Sequence, residues 1–319
     1  MSRLYEEMER LVSQVLSRNG YSDDESRICA REVLDAEWRG KSSYGLELVP
    51  HLINWRRMKK ADPSVAREGA VHAFIEGGDC AGPIAAAFAM EVALTKVRDQ
   101  GVALIGVRNK WPWLVAGYHL RHAAEQGFIA LTWSAGVSIL APHGGIRPVF
   151  GTNPFGYAIP SEKGPIVFDS AMTKGPASIL RDSKKNGVPM PEGLALDAEG
   201  RPTSDPDAAR KGALLPFGGH RGSGLALMIE LLGGPWVGAK AGVSHKGTRG
   251  FVLLLVDPDL FGFGIGFPGV VEGLVADMLA AAGNSNGVHI PGRGEVDFRA
   301  PRPLDTDLVA QLQALAEGA

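Results

Sequence analysis

Two arginines stand in glycine-rich loops, where a positive charge and accessible backbone amides could bind phosphate. Arg221 lies in residues 217–224 (FGGHRGSG), directly before an apolar helical segment, and Arg293 lies in residues 290–295 (IPGRGE). Backbone N–H groups at a helix N-terminus, the helix dipole and a guanidinium all favour a bound anion. A tight turn explains each loop taken singly, but two such loops in one chain favour phosphate binding.

Two further segments contain more glycine and small polar residues than packing requires. They are residues 142–145 (PHGG), which run on to 150–154 (FGTNP), and residues 168–173 (FDSAMT), where an apolar strand ends in small polar side chains. The eight histidines, including His119 and His122 at helical spacing, lack a third ligand at metal-binding spacing. The Rossmann, P-loop, zincin and nucleophile-elbow motifs are absent. These patterns predict a phosphate-containing ligand and no metal.

The order of these segments resembles the malate/L-lactate dehydrogenase family, which includes sulfolactate, ureidoglycolate and diketogulonate dehydrogenases and a piperideine-2-carboxylate reductase. The motifs that carry the resemblance are Gly-Thr-Asn-Pro at 151–154, Asp-x-Ala-x-[Ser/Thr] at 169–173, Gly-Gly-His-Arg-Gly-x-Gly-Leu-Ala-Leu at 218–227 and Pro-Gly-x-x-Glu at 291–295. Residues 36–40 (AEWRG) before Ser43, and residues 193–203, match as well. The resemblance therefore covers nearly the whole chain.

The resemblance implies an NAD(P)-dependent enzyme that acts on 2-oxo or 2-hydroxy acids, or on cyclic 2-imino acids, with NADPH or NADH as cofactor. It implies the family's own mixed α/β fold, which is not a Rossmann fold, with helical N- and C-terminal parts packed together. It also implies a homodimer in which each site borrows from the other subunit. The cofactor contacts that it implies are Ser134, Thr152, Asn153, Asp169, Ser170, Met172, Thr173, His220, Arg221, Gly222, Gly292, Arg293 and Gly294.

Positions that carry the family's chemistry differ in this sequence. The family's Ser-His-Gly is Ser43-Tyr44-Gly45 here, and the arginine three residues further on is Leu48. The family's Asn-Ser-x-His-x-Gly, whose histidine is taken as the general acid/base, aligns with residues 109–114, so that Pro112 replaces the histidine. The usual acid and the usual carboxylate-binding arginine are therefore both absent. Either the chemistry has changed, or catalysis was lost while the scaffold stayed.

The leading hypothesis is a reductase with an altered substrate, which reduces the C=N bond of a cyclic or substituted imino acid or the C=O bond of a 2-oxo acid. A protonated iminium already carries its proton and needs less help from an acid than a ketone does. The candidate catalytic residues are Lys110, which could anchor a carboxylate or donate a proton, Tyr44, which could hydrogen-bond the substrate, and His143. Trp111 and Trp113 could form a flat apolar wall. The alternatives are a solvated lysine, a space-filling tyrosine and core tryptophans.

Two other hypotheses remain open from the sequence. One is a catalytically inactive relative that holds a dinucleotide or a partner. The retained phosphate loops argue against it, because loops without a cofactor need not keep their glycine-flanked arginines. The other is a true 2-hydroxy-acid dehydrogenase in which His143 or His119 is the substitute acid.

The elements that must position these residues follow from hydrophobic periodicity and capping signals. Helices are predicted at 3–18, 22–40, 45–59, 84–98, 222–232, 270–282 and 305–317, and strands at 102–107, 129–133, 166–168 and 251–256. The unequal spacing of these elements favours a mixed α/β or α+β fold over regular βαβ units. We expect a helical N-terminal part at 1–65, a cofactor-binding part at 66–250 and a C-terminal part at 251–319 that packs back on the N-terminal part.

Composition limits the class of protein and its partners. The 319 residues are 45% hydrophobic and 21% charged, with a net charge of −2, which gives no reason to expect nucleic acid or an anionic membrane as partner. The two cysteines, Cys29 and Cys80, indicate a reducing compartment. The N-terminal segment lacks the apolar region of a signal peptide, and the longest apolar stretches are too short to span a bilayer. The sequence therefore predicts a cytoplasmic protein.

Overall fold

A central sheet of seven strands organises the computed structural model, which describes residues 2–244, 249–281, 287–294 and 303–317. The strands lie in the order β1-β2-β3-β10-β4-β5-β6; β2 pairs with β3 in parallel, and the other neighbours pair antiparallel. Their bounds are β1 (Ser64–Glu68), β2 (His72–Glu76), β3 (Val102–Asn109), β4 (Ile129–Ala135), β5 (Phe155–Ile159), β6 (Ile166–Ser170) and β10 (Arg249–Val256). A small second sheet contains β7 (Ala195–Leu196), β8 (Pro202–Thr203) and β9 (Ala213–Leu214), with β7 in the middle.

Ten helices surround the sheets within the described residues. They are α1 (Arg3–Arg18), α2 (Asp23–Trp38), α3 (Val49–Arg56), α4 (Gly82–Gln100), α5 (Ala116–Glu125), α6 (Ile179–Asn186), α7 (Pro206–Lys211), α8 (His220–Gly233), α9 (Phe267–Ala280) and α10 (Thr306–Glu317). Short 3-10 turns are formed by Ser42–Tyr44, Leu46–Leu48, Pro235–Val237, Gly242–Ser244 and Pro258–Phe261. The mixed α/β fold class is thereby confirmed. Ala282, at the end of a predicted helix, and Glu295, in the second glycine-rich loop, lie outside the described residues.

The predicted helix at 45–59 is wrong in its first part, where two 3-10 turns precede α3. Pro50 lies in the first turn of α3, where its missing N–H costs nothing and where it ends any earlier helix. The strands β1, β2 and β5 are absent from the sequence predictions. The edge strand β1 is almost entirely exposed, so it carries little of the apolar alternation that marks a strand.

The two faces of the sheet pack against different helices. Along β10, Phe251, Leu253 and Leu255 point into the main core, which includes residues of α1, α2, α4 and α5. Val252 faces the opposite side and packs with Val237, on the face that α8 covers through β4 and β10. Successive side chains of a strand point to opposite faces, so β10 is buried on both. This double burial explains its apolar sequence.

The N- and C-terminal helices lie side by side. Helix α10 contacts α1, its Leu312 is fully buried, and the Nε2 atom of Gln14 donates to the Ala316 carbonyl oxygen at 3.4 Å. The boundary predicted at residue 250 falls inside β10, which starts at Arg249 in the middle of the sheet. Residues on both sides of that boundary therefore share one strand.

Helices α8 and α9 both expose apolar side chains. On α8 these are Leu225, Leu227, Met228 and Leu231, and on α9 they are Val270, Leu274, Met278 and Leu279. Apolar surface of this extent on a protein commonly marks an interaction site. Within the described ranges, no helix combines the length and the apolarity needed to cross a bilayer.

Arg293 belongs to a network that ties its loop to α9. Its guanidinium donates to both carboxylate oxygens of Glu272, at 3.0 and 2.6 Å, and to the carbonyl oxygen of Gly164 at 2.9 Å. The Ser161 hydroxyl donates to the same carboxylate at 2.8 Å. These hydrogen bonds, above all those from Arg293, lower the pKa of Glu272 to about 2. Because the Arg293 guanidinium already binds Glu272 and Gly164, it is not available as the phosphate ligand that the sequence predicted.

Replacing Glu272 by glutamine removes the titrating group of this network. Because folding lowers the pKa of Glu272 from its usual 4.5, ionisation contributes stability that is complete above about pH 5 and is lost as the pH falls towards 2. By scanning calorimetry, we expect wild type to melt above Glu272→Gln at neutral pH and the difference to shrink below about pH 5. Glu192→Gln, at an exposed glutamate, is the control. A difference that stays constant down to the lowest pH would contradict the prediction.

Candidate active site

A cavity of about 710 Å³ lies where the N-terminal helical region meets the edge of the sheet that carries β6. Its volume is in the range of small-molecule sites. The walls come from the turn after α2, the segment before α5, the start of β5, the end of β6 and the residues from there into α6. The lining includes Lys41, Ser43, Tyr44, Trp113, Leu114, Val115, Thr152, Asp169, Ser170, Thr173 and Asp182.

The turn that carries Tyr44 is held on one side by the buried carboxylate of Glu37. This carboxylate accepts the Ser42 hydroxyl at 2.9 Å and the Leu46 amide at 3.0 Å. It packs so closely that a Cβ on Gly45 would lie 2.0 Å from Oε2, which makes glycine necessary there. The resemblance motif at 43–45 therefore ends in glycine because of packing inside the protomer.

The other side of the same turn is held by α6. The Ser43 hydroxyl donates to the Asp182 carboxylate at 3.1 Å, and Arg181 donates to the Ser43 carbonyl oxygen at 3.3 Å. The Tyr44 side chain, 37% exposed, is left to face the cavity. Burial of the phenol, with a smaller contribution from Asp169, raises the pKa of Tyr44 above its ordinary value. The hydroxyl is therefore protonated at neutral pH and can donate a hydrogen bond.

The wall formed by Leu114 and Val115 is fixed by Glu32 of α2. One oxygen of this fully buried carboxylate accepts both backbone amides, at 2.9 and 2.8 Å, and the other is hydrogen-bonded to His119 at 2.9 Å. Trp113, which also lines the cavity, stacks on Phe251 with ring centroids 4.3 Å apart. The segment before α5 is thus a rigid, largely apolar wall.

A third buried carboxylate, Glu230 of α8, fixes the Gly-Thr-Asn-Pro segment. It accepts the side-chain amide of Asn153 at 2.7 Å and the backbone amides of Gly151 at 3.3 Å and Gly242 at 2.8 Å. The side-chain oxygen of Asn153 accepts the amide of Gly136 at 3.1 Å. Because Asn153 is fully buried and its groups are used, it supports the loop, and the contact to a cofactor expected of it is not available.

Asp169 lies at the end of β6 and faces the cavity. Its Oδ2 atom accepts the amide of Gly117, in the first turn of α5, at 3.0 Å. The same oxygen lies 3.8 Å from the Lys41 ammonium, a distance that fits an ion pair but exceeds a hydrogen bond. Asp169 is thereby held by α5, and its ion pair with Lys41 is long and weak.

The glycine-rich loop before α8 lies next to the cavity segment at 172–174. Thr173 forms a bridge with Pro216, and the Phe217 amide donates to the Met172 carbonyl oxygen at 3.1 Å. Gly219, the N-cap of α8, provides no side-chain cap and has a positive φ of 61°. A Cβ on Gly222 would lie 2.2 Å from the Phe217 carbonyl oxygen. The Arg221 and Gly222 amides donate to the Gly218 and Phe217 carbonyl oxygens at 3.3 and 3.1 Å, so the loop folds tightly onto the start of α8.

Arg221 stands on the first turn of α8 and is exposed. It forms no ion pair with any residue in the described part of the chain. An exposed guanidinium at the start of a helix suits the pyrophosphate of a dinucleotide. The donor set present at this loop therefore fits the phosphate part of NADPH or NADH.

The predicted cofactor residues divide into two groups. Those that line the cavity are Thr152, Asp169, Ser170 and Thr173. His220, Arg221 and Gly222 lie at the adjacent loop. Ser134 is buried and donates to the Gly250 carbonyl oxygen at 3.3 Å, and Met172 is buried in a cluster with Leu140 and Ile229. Neither side chain reaches the cavity, because each packs inside the protein.

The loop at 292–294 lies against the outer strand β6. A Cβ on Gly292 would come within 2.9 Å of the Val167 backbone nitrogen, and the Val167 amide donates to the Pro291 carbonyl oxygen at 3.0 Å. Close packing on the strand therefore explains this glycine. Neither Gly292 nor Gly294 lines the cavity.

Two of the three predicted catalytic residues lie away from the cavity within the protomer. The Lys110 ammonium lies 3.8 Å from the sulfur of Met58 and 4.9 Å from the ring centroid of Trp111. His143 is at the glycine-rich loop, with its ring 6.1 Å from that of His220. Tyr44 is the candidate that the cavity contains. Of the two tryptophans, Trp113 lines the cavity and Trp111 stacks on Trp55 outside it.

Several residues that shape the cavity were not predicted from the sequence. They are Lys41, Asp182 and the three buried glutamates Glu32, Glu37 and Glu230. Each lies on a helix or turn where a charged residue is normally read as solvent-exposed. The one available signal is that Glu37 lies inside the resemblance motif at 36–40 and that Lys41 directly follows it.

Comparison with known proteins agrees with this geometry. A family model described as malate/L-lactate dehydrogenase matches residues 4–309. The chain is 34% identical over 299 residues to L-sulfolactate dehydrogenase of Methanothermobacter thermautotrophicus, covering 90% of this chain and 86% of the relative. It is 33% identical over 336 residues to (2R)-3-sulfolactate dehydrogenase (NADP(+)) of Chromohalobacter salexigens, covering 99% of each.

A solved structure extends the similarity to an enzyme of imino acids. The Δ1-piperideine-2-carboxylate reductase of Pseudomonas syringae pv. tomato superposes with a TM-score of 0.84 at 27% identity, and the match covers 98% of both chains.

Proposed function

The chain belongs to the malate/L-lactate dehydrogenase family, and on that premise we propose that its cavity reduces the C=N bond of a small 2-imino acid in preference to the C=O bond of a 2-oxo acid. The chain is an NAD(P)-dependent oxidoreductase of such substrates, and the named relatives give no support to the inactive alternative. One observation carries the preference for C=N. The described lining of the cavity contains one phenol, that of Tyr44, beside several serine and threonine hydroxyls, and it contains no histidine.

Different residues of the chain serve different parts of the proposed reaction. When bound, the reduced nicotinamide supplies the hydride that reaches the carbon of the double bond. The Tyr44 hydroxyl donates a hydrogen bond to the oxygen of a C=O substrate, whereas its oxygen accepts one from the N–H of a protonated iminium. A phenol of raised pKa is a weak acid, which suits an iminium better than a ketone. Trp113, Leu114 and Val115 keep water from the reacting face. His119, bonded to Glu32, and His143 lie outside this arrangement, which disfavours a substitute histidine acid.

We propose that the enzyme is a homodimer and that it is located in the cytoplasm. The exposed apolar faces of α8 and α9 support the dimer, since an isolated protomer would leave them in water. Both cysteines are buried free thiols, which suits a reducing compartment. The partner in catalysis is a small carboxylate, and the near-neutral charge gives no reason to add nucleic acid.

Tyr44→Phe removes the hydroxyl and leaves the ring. We expect kcat for a 2-oxo acid to fall at least about 100-fold, because a positioned proton donor contributes roughly 10²–10⁴-fold. With a cyclic 2-imino acid, which arrives protonated, the loss is much smaller. Both rates are measured by the absorbance of NADPH or NADH. Tyr157→Phe, on β5 outside the cavity, is the matched control. Equal losses for the two substrates would contradict the proposed role.

Arg221→Ala tests the cofactor loop. Losing a charge-assisted hydrogen bond to phosphate weakens the binding of NADPH or NADH by about 1.5–3 kcal/mol. Fluorescence titration of each cofactor measures the dissociation constant. Arg210→Ala, an exposed arginine at the end of α7, controls for the general loss of positive charge. Unchanged affinity in the Arg221 variant would remove this residue from the site.

The dimer is tested on the exposed face of α8. Leu227→Lys combined with Leu231→Lys places two charges on that face, one helical turn apart. In sedimentation equilibrium at micromolar concentration, we expect wild type to be a dimer and the double variant a monomer, because buried like charges oppose association. Val188→Lys, at an exposed apolar residue beyond α6, is the control. A wild-type monomer would rule out the dimer.

A further inference from the structure

The geometry points to Lys41 as the residue that binds the substrate carboxylate, a role that neither the sequence motifs nor the relatives assign. We propose that its ammonium holds the carboxylate while Tyr44, on the same turn, contacts the reacting C=N or C=O bond. The proposal rests on the proposed function, since it names the group that selects acids at the same site. It predicts a substrate whose carboxylate is attached to the reacting carbon.

The position where the resemblance places an arginine cannot serve this purpose. Leu48 occupies it, is almost completely buried in the N-terminal part of the main core, and does not line the cavity. The charge that recognises an acid must therefore come from another element.

Three lysines line the cavity, and two of them are occupied. The Lys174 ammonium donates to the Gly193 carbonyl oxygen at 3.0 Å, and the Lys185 ammonium donates to Glu47 at 2.8 Å. The Lys41 ammonium lies 3.8 Å from Asp169 and makes no hydrogen bond to a residue in the described ranges. With 41% of its side chain exposed, Lys41 keeps its three N–H donors for a ligand.

The backbone places Lys41 and Tyr44 for joint contact. The Tyr44 amide donates to the Lys41 carbonyl oxygen at 2.7 Å, which closes the 3-10 turn between them. Residues three apart across such a turn lie on the same side. In a 2-imino or 2-oxo acid, the carboxylate and the double bond sit on adjacent carbons. One turn can therefore bind both the carboxylate and the double bond of such a molecule. An acid whose carboxylate is far from its double bond could reach either Lys41 or Tyr44, but not both.

The charges around the cavity leave Lys41 available to an anion. The lining residues carry three cations, Lys41, Lys174 and Lys185, and three carboxylates, Glu47, Asp169 and Asp182, and Glu47 also pairs with Arg181. Asp169 is held by the Gly117 amide and shares only a long contact with Lys41. A substrate carboxylate would give the Lys41 ammonium a close partner, and it would be desolvated within the cavity, where the attraction between the two charges is stronger than in water.

The experiment compares a charged and an uncharged ligand of the same shape. Pyrrole-2-carboxylate is a flat, non-reducible analogue of a cyclic 2-imino acid, and pyrrole-2-carboxamide differs from it in lacking the charge. Their dissociation constants are measured by calorimetry, at saturating NADPH, for wild type, Lys41→Met, Lys41→Arg and Lys184→Met. Lys184 lies on α6 but pairs with Asp207 and does not line the cavity. KM for a cyclic 2-imino acid is measured in parallel.

We expect Lys41→Met to weaken carboxylate binding at least about tenfold, which equals about 1.4 kcal/mol, and to leave carboxamide binding unchanged. Lys41→Arg keeps the charge and recovers most of the affinity, and Lys184→Met behaves as wild type. KM rises in proportion, while kcat changes little. Equal carboxylate affinity in wild type and Lys41→Met, or equal weakening of both ligands, would overturn the proposal. If the binding results are as expected but wild type reduces no imino or oxo acid, the carboxylate site stands and the proposed reaction fails.

Discussion

Buried carboxylates that accept backbone N–H groups hold the walls of the cavity in place. Glu32, Glu37 and Glu230 are each removed from water, and each binds the amides of a different loop. A carboxylate in such surroundings must find donors, since leaving it unpaired costs several kcal/mol. A hydrogen bond to a charged group contributes about 1.5–3 kcal/mol. The hydrogen bonds that fix the loops are therefore the same ones that offset the cost of burying these three carboxylates.

This constraint explains where glycine is required. Gly45 lies against the Glu37 carboxylate, and Gly222 lies against the carbonyl oxygen of Phe217, so that neither position has room for a Cβ. In both cases the backbone must approach closely for a wall or loop of the site to close. The high glycine content of the chain is thus partly a consequence of how the site is built.

The arrangement separates the scaffold of the site from its chemistry. Glu37 and Asp182 clamp the turn after α2 from two sides, while Lys41 and Tyr44 only project from it. A change of the projecting side chains alters which proton donor and which charge meet the substrate, yet it leaves the clamps intact. This explains how the chain can lack the histidine and the arginine that the resemblance implies and still present an ordered cavity beside its glycine-rich loop. The bridge between Thr173 and Pro216 connects the cavity segment to the glycine-rich loop.

The sequence alone determined the family, the mixed α/β fold class and most of the long elements. Strong periodicity and capping signals place α1, α2, α4 and β10 close to their observed bounds, because these elements bury continuous apolar surface. Local pattern also placed a glycine-rich loop before α8, and the resemblance pointed to the replacement at Tyr44. Only the tertiary structure decided that Asn153 and Met172 are internal supports, that Arg293 is neutralised by Glu272, and that Lys110 lies outside the cavity. The physical reason is that a charged or polar residue has the same local signature whether it faces solvent, a ligand or a buried partner. What distinguishes these cases is a neighbour far away in the chain, such as the 82 residues that separate Glu32 from the Leu114 amide.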